Sequence, residues 1–393
     1  MTSILFDVSL LRTRTRRTGI GRYVAELGLE LERAASAAGD LEILALERIG
    51  AFGRSLTTRD VAGAVRGLVA LPKEAHHYDW AYRVRLGLAA TAWRVRPALV
   101  HSGHPNATPI GKLPCPRLVT CHDLIPLRFP EHYLTVHDGF APGRRRLDFR
   151  RYHGADHVIA VSRATADDLQ RLLGLPSSKL SVVYNGVDVE RWRQQAGGEP
   201  GAMLARFAIA QGGYLIYAGG ADHRKNAEGM FQALSIARRD RQARELVLAW
   251  AGPLRPPERE RLVKLAAAFG VERAVRFLGY VSDAELAMLY GNALCQLFVS
   301  RAEGFGYPLI EAMATGCPCV TSNGSSLGEI AGDAAHTVDP ERPEQIAQAI
   351  LSLARDASER RQLGDRGRRR AAEFGLERCA KETLEVYRAV ARA

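Results

Sequence analysis

The sequence predicts an α/β protein made of two doubly wound domains in tandem, and three observations carry that expectation. At 393 residues the chain exceeds what one ordinary core organises. Near-continuous apolar runs of strand length alternate with helix-like segments, the pattern of parallel sheets covered on both faces. The alternation pauses once, where Gly, Pro and polar residues cluster in "NGVDVERWRQQAGGEPGA", so a linker is expected near residues 188–205.

The elements follow in order. "ILFDVS" reads as a first strand and "RYVAELGLELERAAS" as the helix after it. "LEILALE" is a second strand, followed by a less regular region. "ALVHS", "RLVTCHD", "HVIAVS" and "LSVVYNG" continue the series. Beyond the pause, "YLIYAGG", "ELVLAWAG", "AVRFLGYV", "CQLFVS", "CPCVTS" and "AHTVD" form a second one. The expected domains are residues 1–195 and 196–376, with a final helix over 377–393. In such sheets ligands bind beyond the carboxyl ends of the strands, so two facing domains would share a cleft.

Composition narrows the function. Hydrophobic content of 47% with 25% charged residues belongs to a soluble globular protein, and no apolar run reaches the length of a membrane span. "ILFDVSLL" contains Asp7 and has no cleavage site after it, so it does not read as a signal peptide. Cys115, Cys121, Cys295, Cys317, Cys319 and Cys379 match neither a zinc pattern nor a disulfide framework and read as buried thiols in a reducing cytoplasm. A net charge of +11 points to an anionic partner. Arginine clusters such as "RTRTRR" and "GRRRLDFRR" come without a nucleic-acid-binding signature, so no nucleic-acid partner is expected. His76, His77 and His104 read as surface residues.

Two segments carry chemistry. In "YAGGADHRKN" a strand ends in Gly219 and Gly220, and Arg224 and Lys225 follow at the mouth of the next helix. Helix amides with a guanidinium and an ammonium suit a diphosphate, although the segment also fits an ordinary basic helix start. In "SRAEGFGYPLIEA", Gly304 and Gly306 permit close backbone approach and unusual dihedrals, and Pro308 fits a first helical turn. Amides near Phe305, Gly306 and Tyr307 then point at an anion. Glu303 precedes the turn and Glu311 lies about one turn into the helix, so the two carboxylates can reach two sets of ligand hydroxyls. A solvated helix Glu after an N-terminal acid fits the same residues.

The spacing Glu303–x7–Glu311 within "SRAEGFGYPLIEAMATGCPCVTS" resembles the signature of retaining glycosyltransferases of family four. These have the GT-B fold, two Rossmann-like doubly wound domains facing across a cleft. "GGADHRKN", "RTGIGRYVAEL", "VTCHDLIPLRFPEHY", "ADHVIAVSRATADDL" and "VVYNGVD" resemble family blocks in the same order. The resemblance implies that Arg224 and Lys225 neutralise a leaving diphosphate, that Glu303 binds the transferred sugar and that Glu311 binds the ribose. It implies that Gly220, Gly304, Phe305, Gly306, Tyr307, Pro308 and Leu309 line the sugar and phosphate site. Gly19 and Gly21 bring an N-terminal loop near the diphosphate, His122 hydrogen-bonds the sugar, and Tyr280 and Val281 contact the base.

The chemistry so implied moves a hexose from a nucleotide sugar to a glycan or lipid-linked acceptor hydroxyl by front-face attack with retention. No Asp-x-Asp motif is present, and Arg224 and Lys225 can replace a metal's charge, so neither metal nor cofactor is expected. "GIGRY" and "HDLIPLRFPE" look most like bacterial mannosyltransferases using GDP-mannose in polysaccharide biosynthesis. UDP-glucose, UDP-N-acetylglucosamine and dTDP-rhamnose are alternative donors. A sugar-nucleotide epimerase and a non-catalytic nucleotide-sugar-binding protein are the other readings. "YDWAYRVRLGLAATAWRVRP" fits either a peripheral contact with the inner face of the cell membrane or a core helix with solvated arginines.

Overall fold

The computed structural model describes residues 2–49, 55–72, 74, 75, 77–108, 112–134 and 150–392. His76 and most of the cluster "GRRRLDFRR" lie outside the described residues. The chain divides into two compact units, Met1–Gly186 with Leu376–Ala393, and Val187–Gly375.

The first unit holds β1 (Thr2–Asp7), β2 (Leu41–Ile49), β3 (Ser55–Thr58), β4 (Leu99–Ser102), β5 (Arg117–Cys121), β6 (His157–Ala160) and β7 (Leu180–Val182), in the sheet order β3-β2-β1-β4-β5-β6-β7. Its pairings are parallel except that of β3, which runs antiparallel to β2. The second unit holds β8 (Tyr214–Ala218), β9 (Val247–Ala251), β10 (Val275–Gly279), β11 (Cys295–Phe298), β12 (Cys319–Ser322) and β13 (His336–Val338), all parallel, in the order β10-β9-β8-β11-β12-β13.

The central strands are largely apolar because both faces are covered. Ile4, Leu5 and Phe6 in β1 and Leu215, Ile216 and Tyr217 in β8 are fully buried. Each such side chain contributes roughly 1.5–3 kcal/mol relative to exposure. In both sheets the chain winds outward in one direction, returns to the centre and continues in the other. The reversal leaves a crevice at the carboxyl ends of β1 and β4 in the first unit, and of β8 and β11 in the second.

Residues 188–205 are not an open linker. They form the helices Val189–Ala196 and Gly201–Arg206, and the Asp188 carboxylate caps the first by accepting from the Arg191 amide at 3.1 Å. Trp192 is fully buried, its ring 6.1 Å from that of Tyr290. One anchoring aromatic outweighs the Gly- and Pro-rich composition around it. The unit boundaries accordingly fall at Gly186/Val187 and Gly375/Leu376, not at 195/196 and 376/377.

The helix Leu376–Arg392 belongs to the first unit, where it packs on the helix Gly19–Ala38. Its buried residues Cys379, Ala380, Thr383, Leu384, Tyr387 and Val390 recur every three or four positions, one apolar stripe. "YDWAYRVRLGLAATAWRVRP" lies mostly in the helix His77–Val95, which buries Trp80 and leaves Trp93 half exposed under the Arg96 guanidinium. Among the described residues no helix is long and apolar enough to cross a membrane. All six cysteines are free, and Cys115 alone is partly exposed.

Candidate active site

The second unit brings Arg224, Lys225 and Glu303 together at the β8/β11 crevice. After β8 the chain passes Gly219 and Gly220 into a short 3-10 turn, His223–Lys225, capped by the Asp222 carboxylate, which accepts from the Arg224 amide at 3.1 Å. Asn226 then takes the left-handed conformation, fully buried, and caps the helix Ala227–Ala237. Its side-chain amide donates to the carbonyls of Val299 at 3.2 Å and Pro340 at 2.7 Å. The turn bearing the cations is thereby pinned to the loop after β11.

That loop carries Glu303. One carboxylate oxygen accepts from the Arg224 guanidinium at 2.5 Å, the other from the Lys225 ammonium at 2.6 Å. Arg224 also donates to the Ala302 carbonyl at 3.2 Å, and Lys225 lies 5.2 Å from the centre of the Phe298 ring. Burial pushes the Glu303 carboxyl up, but the two cations outweigh it and hold it at about 2. Glu303 is therefore ionised across the working pH range, an acceptor of hydrogen bonds and not a proton donor. Burial pulls the Lys225 ammonium down, partly offset by Glu303. Arg224, Lys225 and Glu303 sum to one positive charge, which the Asp222 carboxylate, 3.7 Å from the Arg224 guanidinium, offsets.

Beyond Glu303 the turn is held by two serine hydroxyls. Ser326 donates to the Glu303 and Phe305 carbonyls at 2.9 and 2.8 Å, and Ser325 accepts from the Glu303 amide at 3.2 Å. Gly306 has φ +115°, and a Cβ there would lie 2.7 Å from Leu327, so this position requires glycine. Gly304, by contrast, does not have a positive φ. Among the described residues nothing accepts from the amides of Phe305 and Gly306. The helix Tyr307–Thr315 starts at the expected residue.

Leu309 does not line an open site. Its side chain is fully buried and its amide donates to the Gly306 carbonyl at 3.0 Å. The Phe305 ring is likewise in the core, against Phe374, so only its backbone is available. Pro308 is partly buried, with its carbonyl accepting from Gln296 at 2.7 Å. Glu311 is almost wholly buried on the helix. Tyr280 is 79% exposed beyond β10, whereas Val281 is buried just before the capping box formed by Ser282 and Glu285. Asn226, Ser325 and Ser326 were not singled out from the sequence. "SNGSS" before a helix and Asn after "HRK" were the readable signals.

In the first unit, Gly19 and Gly21 sit within the first turn of the helix Gly19–Ala38 rather than in a loop. Gly21 has a steric duty: a Cβ there would lie 2.3 Å from the Thr15 carbonyl oxygen and 2.4 Å from the Arg16 Cα. Gly21→Ala should push the Arg14–Arg17 turn off the helix and cost about 1–3 kcal/mol. Gly67→Ala, at an open helical position, should cost nothing. Denaturant melts of the two variants check the contrast.

His122 follows β5 and is partly exposed. Its Nε2 donates to the Gly103 carbonyl at 2.7 Å, which leaves Nδ1 as a lone-pair acceptor. Burial lowers its pKa to about 4, so the ring is neutral at pH 7. His104 is partly exposed and accepts from the Asn106 amide at 3.0 Å.

Asp7 ends β1 at the β1/β4 crevice of the first unit. One carboxylate oxygen accepts from the Ser9 amide at 2.9 Å and from its hydroxyl at 2.5 Å. Burial outweighs these bonds and raises the carboxyl to about 6. A raised carboxyl pKa destabilises the fold as pH climbs from the unfolded value toward 6 and above, because the unfolded chain ionises first. Asp7→Asn should therefore stabilise the protein at pH 8 by about 1–3 kcal/mol and leave it unchanged near pH 3. Urea unfolding at the two pH values checks this, and an equal change at both would contradict it.

Residues 17–191 match the family described as Glycosyltransferase Family 4, and residues 207–370 match that described as Glycosyl transferases group 1. The chain belongs to glycosyltransferase family four. It is 29% identical over 382 residues to the Escherichia coli O-antigen chain mannosyltransferase B, covering 94% of this chain and 96% of that protein. It is 28% identical over 286 residues to the E. coli serotype-specific mannosyltransferase WbdA, covering 71% of this chain but 34% of WbdA. Among solved structures, Thermosynechococcus elongatus sucrose-phosphate synthase superposes with a TM-score of 0.73 at 19% identity, covering 99% of both chains. Anabaena HepE in complex with UDP and glucose superposes at 0.67 and 16%, covering 99% of this chain and 100% of its own. These likenesses are to GT-B glycosyltransferases, and the two parallel-sheet Rossmann-like units are those of a family-four glycosyltransferase.

Proposed function

We propose that this glycosyltransferase moves mannose from GDP-mannose to a hydroxyl of a glycan or lipid-linked acceptor, with retention and without a metal. The observation that carries the reading is the Arg224–Glu303–Lys225 cluster at the β8/β11 crevice, beside two amides with no acceptor among the described residues. A nucleotide sugar matches it part by part. The diphosphate takes the cations and the Phe305 and Gly306 amides, the hexose hydroxyls donate to Glu303, and the ribose reaches Glu311. Backbone around Tyr280 and Val281 meets the base, and Gly220 leaves room beside the phosphates. In the first unit, the neutral His122 is proposed to accept from a sugar hydroxyl, and Gly19 and Gly21 are proposed as donor-binding residues.

In the proposed reaction the bond from the anomeric carbon to the leaving phosphate oxygen breaks. The acceptor oxygen bonds to that carbon on the same face, and its proton passes to the phosphate oxygen. Arg224 and Lys225 stabilise the charge gathering on the diphosphate, the service a divalent metal gives in other sites. An ionised Glu303 favours the positive charge developing on the sugar. We place the reaction in the cytoplasm, at the inner face of the membrane where the acceptor is lipid-linked.

Mannose is supported by the mannosyltransferases that resemble the chain, one of them along almost its whole length. A UDP-sugar donor is the second reading, favoured by the fold shared with HepE, which has been solved with UDP-glucose. Thermal-shift measurements with GDP, GDP-mannose, UDP and UDP-glucose separate the two, since a ligand of the native state raises the melting temperature. GDP and GDP-mannose are expected to raise it. A response to the UDP compounds alone would replace mannose with the second reading, and no response to any nucleotide would count against a sugar-nucleotide site.

A further inference from the structure

A chain of buried hydrogen bonds runs through the first unit from its C-terminal helix to the helix Gly19–Ala38. The Tyr387 hydroxyl lies 2.7 Å from His101 Nδ1, His101 Nε2 lies 2.8 Å from the Thr120 hydroxyl, and that hydroxyl lies 2.9 Å from the Tyr23 hydroxyl. All four side chains are buried, His101 and Thr120 with no exposed surface. The Tyr23 ring then meets His122 edge-on, centroids 4.9 Å apart. Tyr387 thus connects to His122 across segments 286 and 97 residues apart in sequence.

Such a chain is costly to bury unless each member is paired, and a neutral imidazole can serve as a middle link because it donates at one nitrogen and accepts at the other. Burial holds His101 neutral, with a pKa of about 3. Apolar residues could fill this volume at less risk, as Phe6 does beside His101. What the polar chain adds is direction. Thr120 lies two residues before His122 on the same strand end, and its hydroxyl ties that end both to His101 and to Tyr23. The backbone leading into His122 and the ring beside His122 are fixed by one oxygen.

We propose that Tyr387 is a positioning residue for the glycosyl transfer: through His101, Thr120 and Tyr23 it sets the orientation of the His122 imidazole, so docking of the C-terminal helix is read out at His122. This rests on the assignment of His122 to the sugar site.

The test compares Tyr387→Phe, Thr120→Val and Thr120→Ser, with hydrolysis of GDP-mannose, or of whichever nucleotide sugar stabilises the protein, as the kinetic readout. Tyr387→Phe and Thr120→Val are expected to lower kcat about tenfold with little change in KM, and Thr120→Ser, which keeps the hydroxyl, to restore it. Their effect should nearly vanish when His122 is already alanine, because both act through one group. In histidine-labelled protein the His122 ring nitrogen signals should shift in Tyr387→Phe, a readout that needs no turnover. Unshifted His122 signals, or an effect of Tyr387→Phe that persists in full in His122→Ala, would overturn the proposal, as would lowered thermal stability with unchanged kcat. Undiminished turnover in His122→Ala alone would overturn the sugar-site assignment, and with it the proposal. It is told apart because it involves no Tyr387 variant.

Discussion

Glu303→Gln is expected to lose turnover by about a hundredfold or more while binding nucleoside diphosphate at least as tightly as the parent. The two halves have separate causes. A carboxylate that accepts from two sugar hydroxyls makes two charge-assisted hydrogen bonds, each worth about 1.5–3 kcal/mol, and an amide replaces them poorly. The same substitution removes the negative charge that Arg224 and Lys225 share at 2.5 and 2.6 Å. A diphosphate then meets Lys225 without Glu303 and Arg224 opposed by Asp222 at 3.7 Å, instead of competing with Glu303 for both cations. The ligand-free variant should melt at a lower temperature, since a nearly buried pair has lost one partner, and nucleoside diphosphate should recover more of that loss than it adds to the parent. Calorimetric titration and melting curves check both signs.

Lys225→Met should fail in the opposite way, losing both turnover and nucleoside diphosphate affinity. Methionine fills the nearly buried volume and keeps contact with Phe298, so the fold should survive. What is lost is the ammonium that meets the leaving diphosphate. Removal of one preorganised electrostatic group from such a site lowers kcat by about 10²–10³. Glu303 and Asp222 then both face Arg224 alone, and the lost positive charge weakens the attraction for any anion. Steady-state hydrolysis and diphosphate titration of this variant test it, and unchanged affinity would remove Lys225 from the diphosphate site.

The two sheets were legible because their strands are buried on both faces, so "ILFDVS" and "YLIYAGG" stand out as apolar runs whatever their neighbours. β3 was not, because Ser55–Thr58 is a polar antiparallel edge with no such run. The linker expected at 188–205 failed on one residue: Trp192 turns a Gly- and Pro-rich window into packed helix.

Within the site, residue types and local order could be read, and Gly306 and the start of the helix at Tyr307 follow from them. The pairing of Glu303 with Arg224 and Lys225 could not, since it joins loops 79 and 78 residues apart that only the strand order β8-β11 brings together. The burial of Leu309 and the bond from its amide to the Gly306 carbonyl could not be read, since a sequence shows only that a residue is near a turn. The chain from Tyr387 to Tyr23 was invisible for the same reason of distance.

The central claim is that one carboxylate holds the sugar while restraining the cations that hold the diphosphate. Titrating the parent and Glu303→Gln with GDP and GDP-mannose, and with UDP and UDP-glucose, tests it most directly. The account predicts that the substitution leaves nucleoside diphosphate binding equal or tighter and abolishes the extra affinity contributed by the sugar. Equal weakening of both ligands would contradict it.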